Sequence, residues 1–381
     1  MDINDALLPR RNQLIAANAA EYGDRAGELN WVDEPRAVEA ESERALYLAR
    51  LGISRSAPCR GTKPHLGPLS PGCRICTEGG WSCLFINGKC NCRCFYCPTT
   101  QDEVGEPTTN GITFARAEDY ADYVKHFGFT GVSISGGEPL LTVNRTRSYI
   151  EALRRRLGDE LHIWLYTNGT LLTRHHLLAL RDAGLNEIRF NISAANYNLK
   201  KAEMAVDLIR CVTIEIPSIP EDRDRLAGLL PVMRDMGIDH LNLHQLRLTP
   251  YNCVRLQPRG YTFLHGEKVT VLESELTALA LMADAHEKGI GLPINYCSFV
   301  YKNRYQGVAT RRRNAPFIQK KYESVTENGF IRTLSLTGDP VTISRQAGRL
   351  AQAGVDAGQW YLTDRQDRLY LHPRHLTLVT E

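Results

Sequence analysis

No stretch of this sequence is long and apolar enough to cross a bilayer, since none approaches the roughly 20 residues a spanning helix requires. The opening Met1-Asp2-Ile3-Asn4-Asp5 lacks the basic start and apolar core of a secretory signal, so the expectation is a cytoplasmic protein with no membrane partner. Charge of one sign is lacking as well. The 46 Lys and Arg against 43 Asp and Glu leave a net charge of +3, which gives no support for a nucleic-acid partner. Cysteine is scarce except in one segment: eight of eleven fall between Cys59 and Cys97, leaving Cys211, Cys253 and Cys297 elsewhere. Without a secretion signal, such crowding favours metal ligation over a disulfide framework.

What remains is ordinary globular composition, with 43% hydrophobic and 23% charged residues in 381, ample for a buried core. Residues 1–58 are polar, with one helix expected around 39–51, and 59–80 form a loop rich in Gly, Pro and Cys. A rhythm of short strands and amphipathic helices then begins. Strands are expected at 81–88, 131–135, 162–167, 187–193, 212–216, 240–246 and 291–296. Helices are expected between them at 117–127, 145–157, 173–183, 200–208, 223–236 and 272–288. Serial βα units imply a parallel sheet with right-handed crossovers, either open or curled into a barrel. After Cys297 the rhythm breaks into a basic loop over 298–335, carrying Arg311, Arg312, Arg313, Lys320 and Lys321. A helix at 342–353 and strands at 359–363 and 369–372 complete a C-terminal appendage over 298–381.

The segment Cys90-Asn91-Cys92-Arg93-Cys94-Phe95-Tyr96-Cys97 contains a C-x3-C-x2-C spacing directly after the first strand. Three thiolates on one tight loop can hold three irons of a [4Fe–4S] cubane and leave the fourth open to an external ligand. A zinc loop, or a fully ligated cluster using Cys92 or an upstream cysteine, is the competing reading. Upstream, Cys59, Cys73, Cys76 and Cys83 make a possible second site for zinc, iron or an auxiliary iron–sulfur cluster. Cys83 sits inside the first strand pattern, where a plain core thiol is the alternative.

The triplet, with Tyr96 before its last cysteine, resembles the motif of the radical S-adenosylmethionine (radical SAM) family. Further segments match in order: Gly136-Gly137-Glu138-Pro139 ends the second strand, Thr167-Asn168-Gly169 ends the third, and Asn191 and Ser193 end the fourth. The resemblance implies a partial (β/α)6 TIM barrel over 81–297, with Cys90, Cys94 and Cys97 on the cluster. It also implies that S-adenosylmethionine contacts Tyr96, the Gly-Gly-Glu-Pro run, Thr167, Asn168, Asn191 and Ser193, with Arg189 a weaker candidate. Two glycines permit close backbone approach to a ligand, and Glu138 is placed to offset a positive amino group.

The same resemblance implies reductive cleavage to a 5′-deoxyadenosyl radical, with electrons from a flavodoxin or ferredoxin. The hydrogen would come from an unidentified small molecule, nucleotide or peptide. Polar candidates for substrate chemistry on later strands are Glu215, Asn242 and His244. The cysteine arrangement is also similar to a branch related to glycyl-radical-enzyme activases, so activation of a partner enzyme competes as a function. A zinc-binding structural or RNA-binding protein is a third reading, and nothing resembles a cobalamin domain.

Overall fold

The computed structural model describes residues 3–54 and 58–380; Met1 and Asp2, at the head of the segment read for a leader, lie outside them. Every expected strand forms. The parallel strands are β1 (Trp81–Asn87), β2 (Gly131–Gly136), β3 (His162–Thr167), β4 (Glu187–Phe190), β5 (Cys211–Pro217), β6 (His240–His244) and β7 (Ile294–Cys297). Neighbours in sequence are neighbours in the sheet, all in parallel register. The crossover helices include α1 (Ala117–His126), α2 (Val143–Leu157), α3 (Arg174–Asp182), α4 (Arg223–Asp235) and α5 (Leu272–Glu287). Between β4 and β5 only Lys200–Glu203 is α-helical, shorter than the periodicity suggested.

The strand order advances from β1 to β7 without reversal. Same-handed crossovers in such a sheet lay every helix on one face, unlike a doubly wound sheet whose order reverses. The result is a partial barrel of six βα units extended by a seventh strand. Its edges are covered antiparallel by His65–Leu66 on β7 and by Thr108–Thr109 on β1, which blunts them against outside strands.

Side-chain alternation explains which face is which. Val132, Ile134, Ile163, Leu165, Ile188, Phe190, Ile214, Ile216, Leu241 and Leu243 join one apolar cluster shared with the helices. The alternate positions, Ser133, Tyr166, Glu187, Arg189, Thr213, Glu215, Asn242 and His244, form a polar inner face. A buried polar face must satisfy itself, and the cysteine-rich loop helps. Its short helix Pro71–Thr77 brings Ser70 Oγ within 3.1 Å of Arg189 and the Gly72 N–H within 3.1 Å of the Glu187 carboxylate. The segment read as a possible second metal site is therefore also a plug for the inner face.

Two N-terminal helices form where one was expected. Ile3–Tyr22 was not anticipated because its residues show almost no apolar periodicity. The second, Glu34–Arg50, is capped by Asp33 and packs Ala40 against Leu272 and Leu276 of α5. Arg44 pairs with Glu275 at 3.1 Å and Arg50 with Asp284 at 2.8 Å. Tyr22 and Leu29 join Leu246, Leu256 and Phe263 in a second apolar cluster, against which Phe95 and Tyr96 pack. The N-terminal extension thus supports the cysteine loop through the segment after β6.

A separate compact unit comprises residues 77–80 and 306–381. It holds helix Pro340–Gln352 over the antiparallel strands Ser335–Thr337, Arg368–Leu371 and Trp360–Leu362, cored by Ile343, Leu350 and Leu369. The expected basic loop is instead largely a helix, Gly307–Ile318. Arg311 and Arg312 donate to the Asn328 and Glu327 carbonyls at 2.9 and 2.5 Å, so these cations close a turn.

Candidate functional site

The carboxyl ends of the strands surround a cavity of about 330 Å³, where ligands of parallel α/β folds bind. Cys90, Cys94 and Cys97 line it together, on the loop leaving β1. All three are free thiols, and burial pushes Cys94 and Cys97 above the ordinary thiol range. Among the described residues no three His, Cys, Asp or Glu side chains converge on one point. A cubane does not require that, because each thiolate binds a different iron. Three soft donors on one loop beside an enclosed cavity fit such a cluster.

The two glycines have a role that spacing alone did not reveal. A Cβ on Gly136 would collide with the Asn87 carbonyl, and one on Gly137 with the Lys89 carbonyl and the Cys90 nitrogen. Gly136 also has φ of +127°, a backbone conformation that side chains disfavour. The missing side chains let the cysteine loop lie directly on the end of β2. There the Gly137 N–H donates to Asn87 O at 3.0 Å and the Glu138 N–H to Lys89 O at 2.7 Å.

Glu138 is fully buried and its carboxylate is already engaged. It accepts from the Leu140 N–H at 2.9 Å, the Thr167 hydroxyl at 2.7 Å and the Asn168 N–H at 2.7 Å. Burial raises its pKa, and these donors oppose the rise. The carboxylate locks the end of β2 to the end of β3. Pro139 opens a tight turn behind it and is buried. Asn168 then reaches the cysteine loop, with Nδ2 at 2.8 Å from Asn91 Oδ1 and 3.7 Å from Cys90 Sγ. Asn91 in turn donates to Thr170 Oγ1 at 2.7 Å. Asn91 and Thr170 escaped the sequence reading because neither belongs to a spaced motif.

The strand expected over 187–193 ends at Phe190, and Asn191 caps a 3-10 turn, Ile192–Ala195. Strict alternation failed there because the chain turns, yet Asn191 and Ser193 still meet. The Tyr96 hydroxyl donates to Asn191 Oδ1 at 3.2 Å and lies 2.7 Å from Ser193 Oγ. Arg189 stays apart, bound to Glu187 at 2.7 Å and Glu215 at 2.6 Å. Burial opposes ionisation of Glu187 and Glu215, but Arg189, joined by His162 at Glu187 and by His244 and Asn242 at Glu215, outweighs it and holds both carboxyls below their ordinary range. The site gains a third unanticipated neighbour in Arg255, whose Nη2 lies 3.5 Å from Cys97 O.

Glu215 and His244 line the cavity, whereas Asn242 lies beneath it, donating to Glu215 at 3.0 Å and to Cys73 Sγ at 3.3 Å. Burial, and then the charge of Lys302, lowers His244 to about 4, leaving it neutral near pH 7. Cys83 lies within β1, where burial raises it to about 11, and Cys59 has Lys63 as its charged neighbour. Cys73 and Cys76 have the same Lys63 as a charged neighbour, together with Cys297. A larger hollow of about 760 Å³, lined by Arg154, Arg210 and Asp239, contains none of these motif residues.

Thiols, a glycine-floored loop and polar strand ends around one cavity define an α/β protein with a cofactor site at its carboxyl-terminal face. The comparisons make the class specific. The model of the Radical SAM superfamily matches residues 84–208. A candidate glycyl-radical enzyme activating enzyme of Methanocaldococcus jannaschii is 31% identical over 275 residues, 69% of this chain and 72% of that protein. A GTP 3′,8-cyclase of Rhodopirellula baltica is 37% identical over 113 residues, 29% of this chain and 30% of the relative. The crystal structure of Streptococcus suis SuiB matches 85% of this chain and 66% of its own at 13% identity, with a TM-score of 0.42. The chain belongs to the radical SAM superfamily, and it is an enzyme of that class. Membership implies a [4Fe–4S] cluster and S-adenosylmethionine. No helix among the described residues is long and apolar enough to cross a membrane.

Proposed function

We propose that this enzyme cleaves S-adenosylmethionine reductively in the 330 Å³ cavity and takes hydrogen from a substrate held on the β5–β7 side. The observation that carries the reading is a shared lining: the four thiols of Cys90, Cys92, Cys94 and Cys97 and the Gly-Gly-Glu turn follow β1 and β2, while Glu215 and His244 come from β5 and β6 and Lys302 from the turn after β7. Cys90, Cys94 and Cys97 would hold the cluster, which when bound would pass one electron from a flavodoxin or ferredoxin to the sulfonium, breaking its bond to C5′ to give methionine and the 5′-deoxyadenosyl radical.

The protein's own residues would do the rest. Exposed backbone at Gly136 and Gly137, with Asn168, Asn191 and Ser193, offers polar contacts for the methionine end. Tyr96 would orient Asn191 and Ser193 through its hydroxyl rather than touch the cofactor with it. Enclosure by Tyr166 and Phe299 would keep water from the radical. Glu215, fixed by Arg189 and Asn242, is a rigid acceptor for a substrate donor.

A second reading, formation of a glycyl radical on a partner enzyme, is favoured by the name of the M. jannaschii relative. Anaerobic incubation with S-adenosylmethionine and dithionite tests the common step. Release of 5′-deoxyadenosine is expected, and its absence from protein carrying the cluster would sink both readings. An electron paramagnetic resonance signal on an added glycyl-radical partner, rather than turnover of a small molecule, would favour the second.

A further inference from the structure

The cavity lining carries two cations that no ion pair engages among the described residues. Its lining includes two carboxylates, Glu138 and Glu215, and two cations, Arg247 and Lys302. Both carboxylates are satisfied within the protein. Glu138 accepts three hydrogen bonds from the ends of β2 and β3, and Glu215 pairs with Arg189 at 2.6 Å. The cations are not matched. Among the described residues neither Lys302 nor Arg247 forms an ion pair, and the buried Nε of Arg247 has no hydrogen-bond partner. Elsewhere in the chain, arginines are typically used up, as Arg44, Arg50 and Arg189 are in ion pairs and Arg311 and Arg312 on carbonyls.

Both cations are built in rather than trailing. Lys302 lies 4.8 Å over the Phe299 ring, and the Phe299 N–H donates to Gln245 at 3.3 Å. Ser298 caps this turn by accepting from the Tyr301 N–H at 3.1 Å. Lys302 also opens a π-helical turn, Lys302–Gln306, a conformation frequent at functional sites. The Arg247 carbonyl is held by Asn252 at 3.0 Å, and its backbone bridges to Thr270. A half-buried cation without a counterion is costly and is relieved by a ligand that brings one.

We infer that Lys302 and Arg247 form an oxyanion clamp for a small substrate bearing a phosphate or carboxylate group. The inference rests on the radical SAM reading of the same cavity and adds the chemical class of its substrate. Arginine supplies a planar fork and lysine a point charge, a pair suited to a tetrahedral or planar oxyanion. The carboxylate of S-adenosylmethionine is the other source of such a group, and the test separates the two.

The test is titration of inorganic phosphate into the cluster-loaded full chain, followed by phosphorus NMR line broadening, with and without saturating S-adenosylmethionine. One phosphate site that persists under saturating S-adenosylmethionine is expected. Lys302→Gln and Arg247→Gln should each weaken it about tenfold, and Lys302→Arg should restore most of the affinity in a protein of unchanged thermal midpoint. Displacement of phosphate by S-adenosylmethionine would overturn the substrate assignment, and unchanged affinity in both Gln variants would overturn the clamp. Measuring 5′-deoxyadenosine on the same wild-type preparation keeps the two ideas apart. Cleavage without a phosphate site removes the clamp alone, whereas a phosphate site without cleavage removes the radical reading.

Discussion

Two cysteine-rich segments lie side by side in this sequence and meet opposite fates in the fold. The loop carrying Cys90, Cys94 and Cys97 projects its thiols into a cavity. The segment carrying Cys73 and Cys76 turns inward and becomes part of the barrel's polar filling, with Cys73 accepting from Asn242 and, at 3.9 Å, from Asn295. Identical side chains thus line a cavity in one place and lie against buried polar groups in the other. What distinguishes them is the surroundings: strand ends with glycines around a cavity in one case, a buried ion network in the other.

The largest expected effect tests the first half of that contrast. Cys94→Ala should reduce iron and sulfide to background, since a cubane held by only two thiolates is lost on reconstitution. Cys73→Ala and Cys76→Ala should keep the full iron content of the wild type. A drop in iron per chain in either would instead reveal a second metal and erase the contrast.

The ion network beneath the cavity comes next. Arg189→Met leaves Glu187 and Glu215 without their cation and should cost about 3–5 kcal/mol in urea unfolding. Its pH dependence has a definite sign. Glu187 is held below its ordinary value of 4.5 in the folded protein, so its contribution is present above that pH and is lost as pH falls toward the folded value. The gap between wild type and variant should therefore narrow below pH 4.5. A constant gap would mean that charge is not the cause.

A smaller effect is expected from Gly137→Ala, which forces the cysteine loop off the end of β2. Overpacking of this kind costs about 1–3 kcal/mol, and cluster loading should fall even in folded protein. The smallest belongs to Tyr96→Phe. Losing the bonds to Asn191 and Ser193 should lower stability by about 1 kcal/mol, read from the thermal midpoint of the metal-free chain.

The βα order was legible because apolar runs and amphipathic helices are local signals, and six crossovers in series leave few topologies. The 187–193 strand was over-extended because alternation continued through Asn191 and Ser193 after the backbone had turned. The helix Ile3–Tyr22 was missed because it buries too little on one side to leave a periodic trace. Asn91, Thr170 and Arg255 were invisible for another reason: their significance lies in contacts with residues 79, 2 or 158 positions away.

By itself the sequence determined that a thiol triplet follows the first strand of a βα series, with a Gly-Gly-Glu-Pro and a Thr-Asn-Gly at the next two strand ends. These are short-range facts, written in spacing. Tertiary structure alone decided that Gly136 and Gly137 make room for the cysteine loop, that Glu138 is a lock between strands, and that Cys73 lies against Asn242 and Asn295. It also decided that Lys302 and Arg247 line one cavity with no ion-pair partner among the described residues. Charge balance inside a cavity depends on which side chains the fold brings together, and no local pattern encodes that sum.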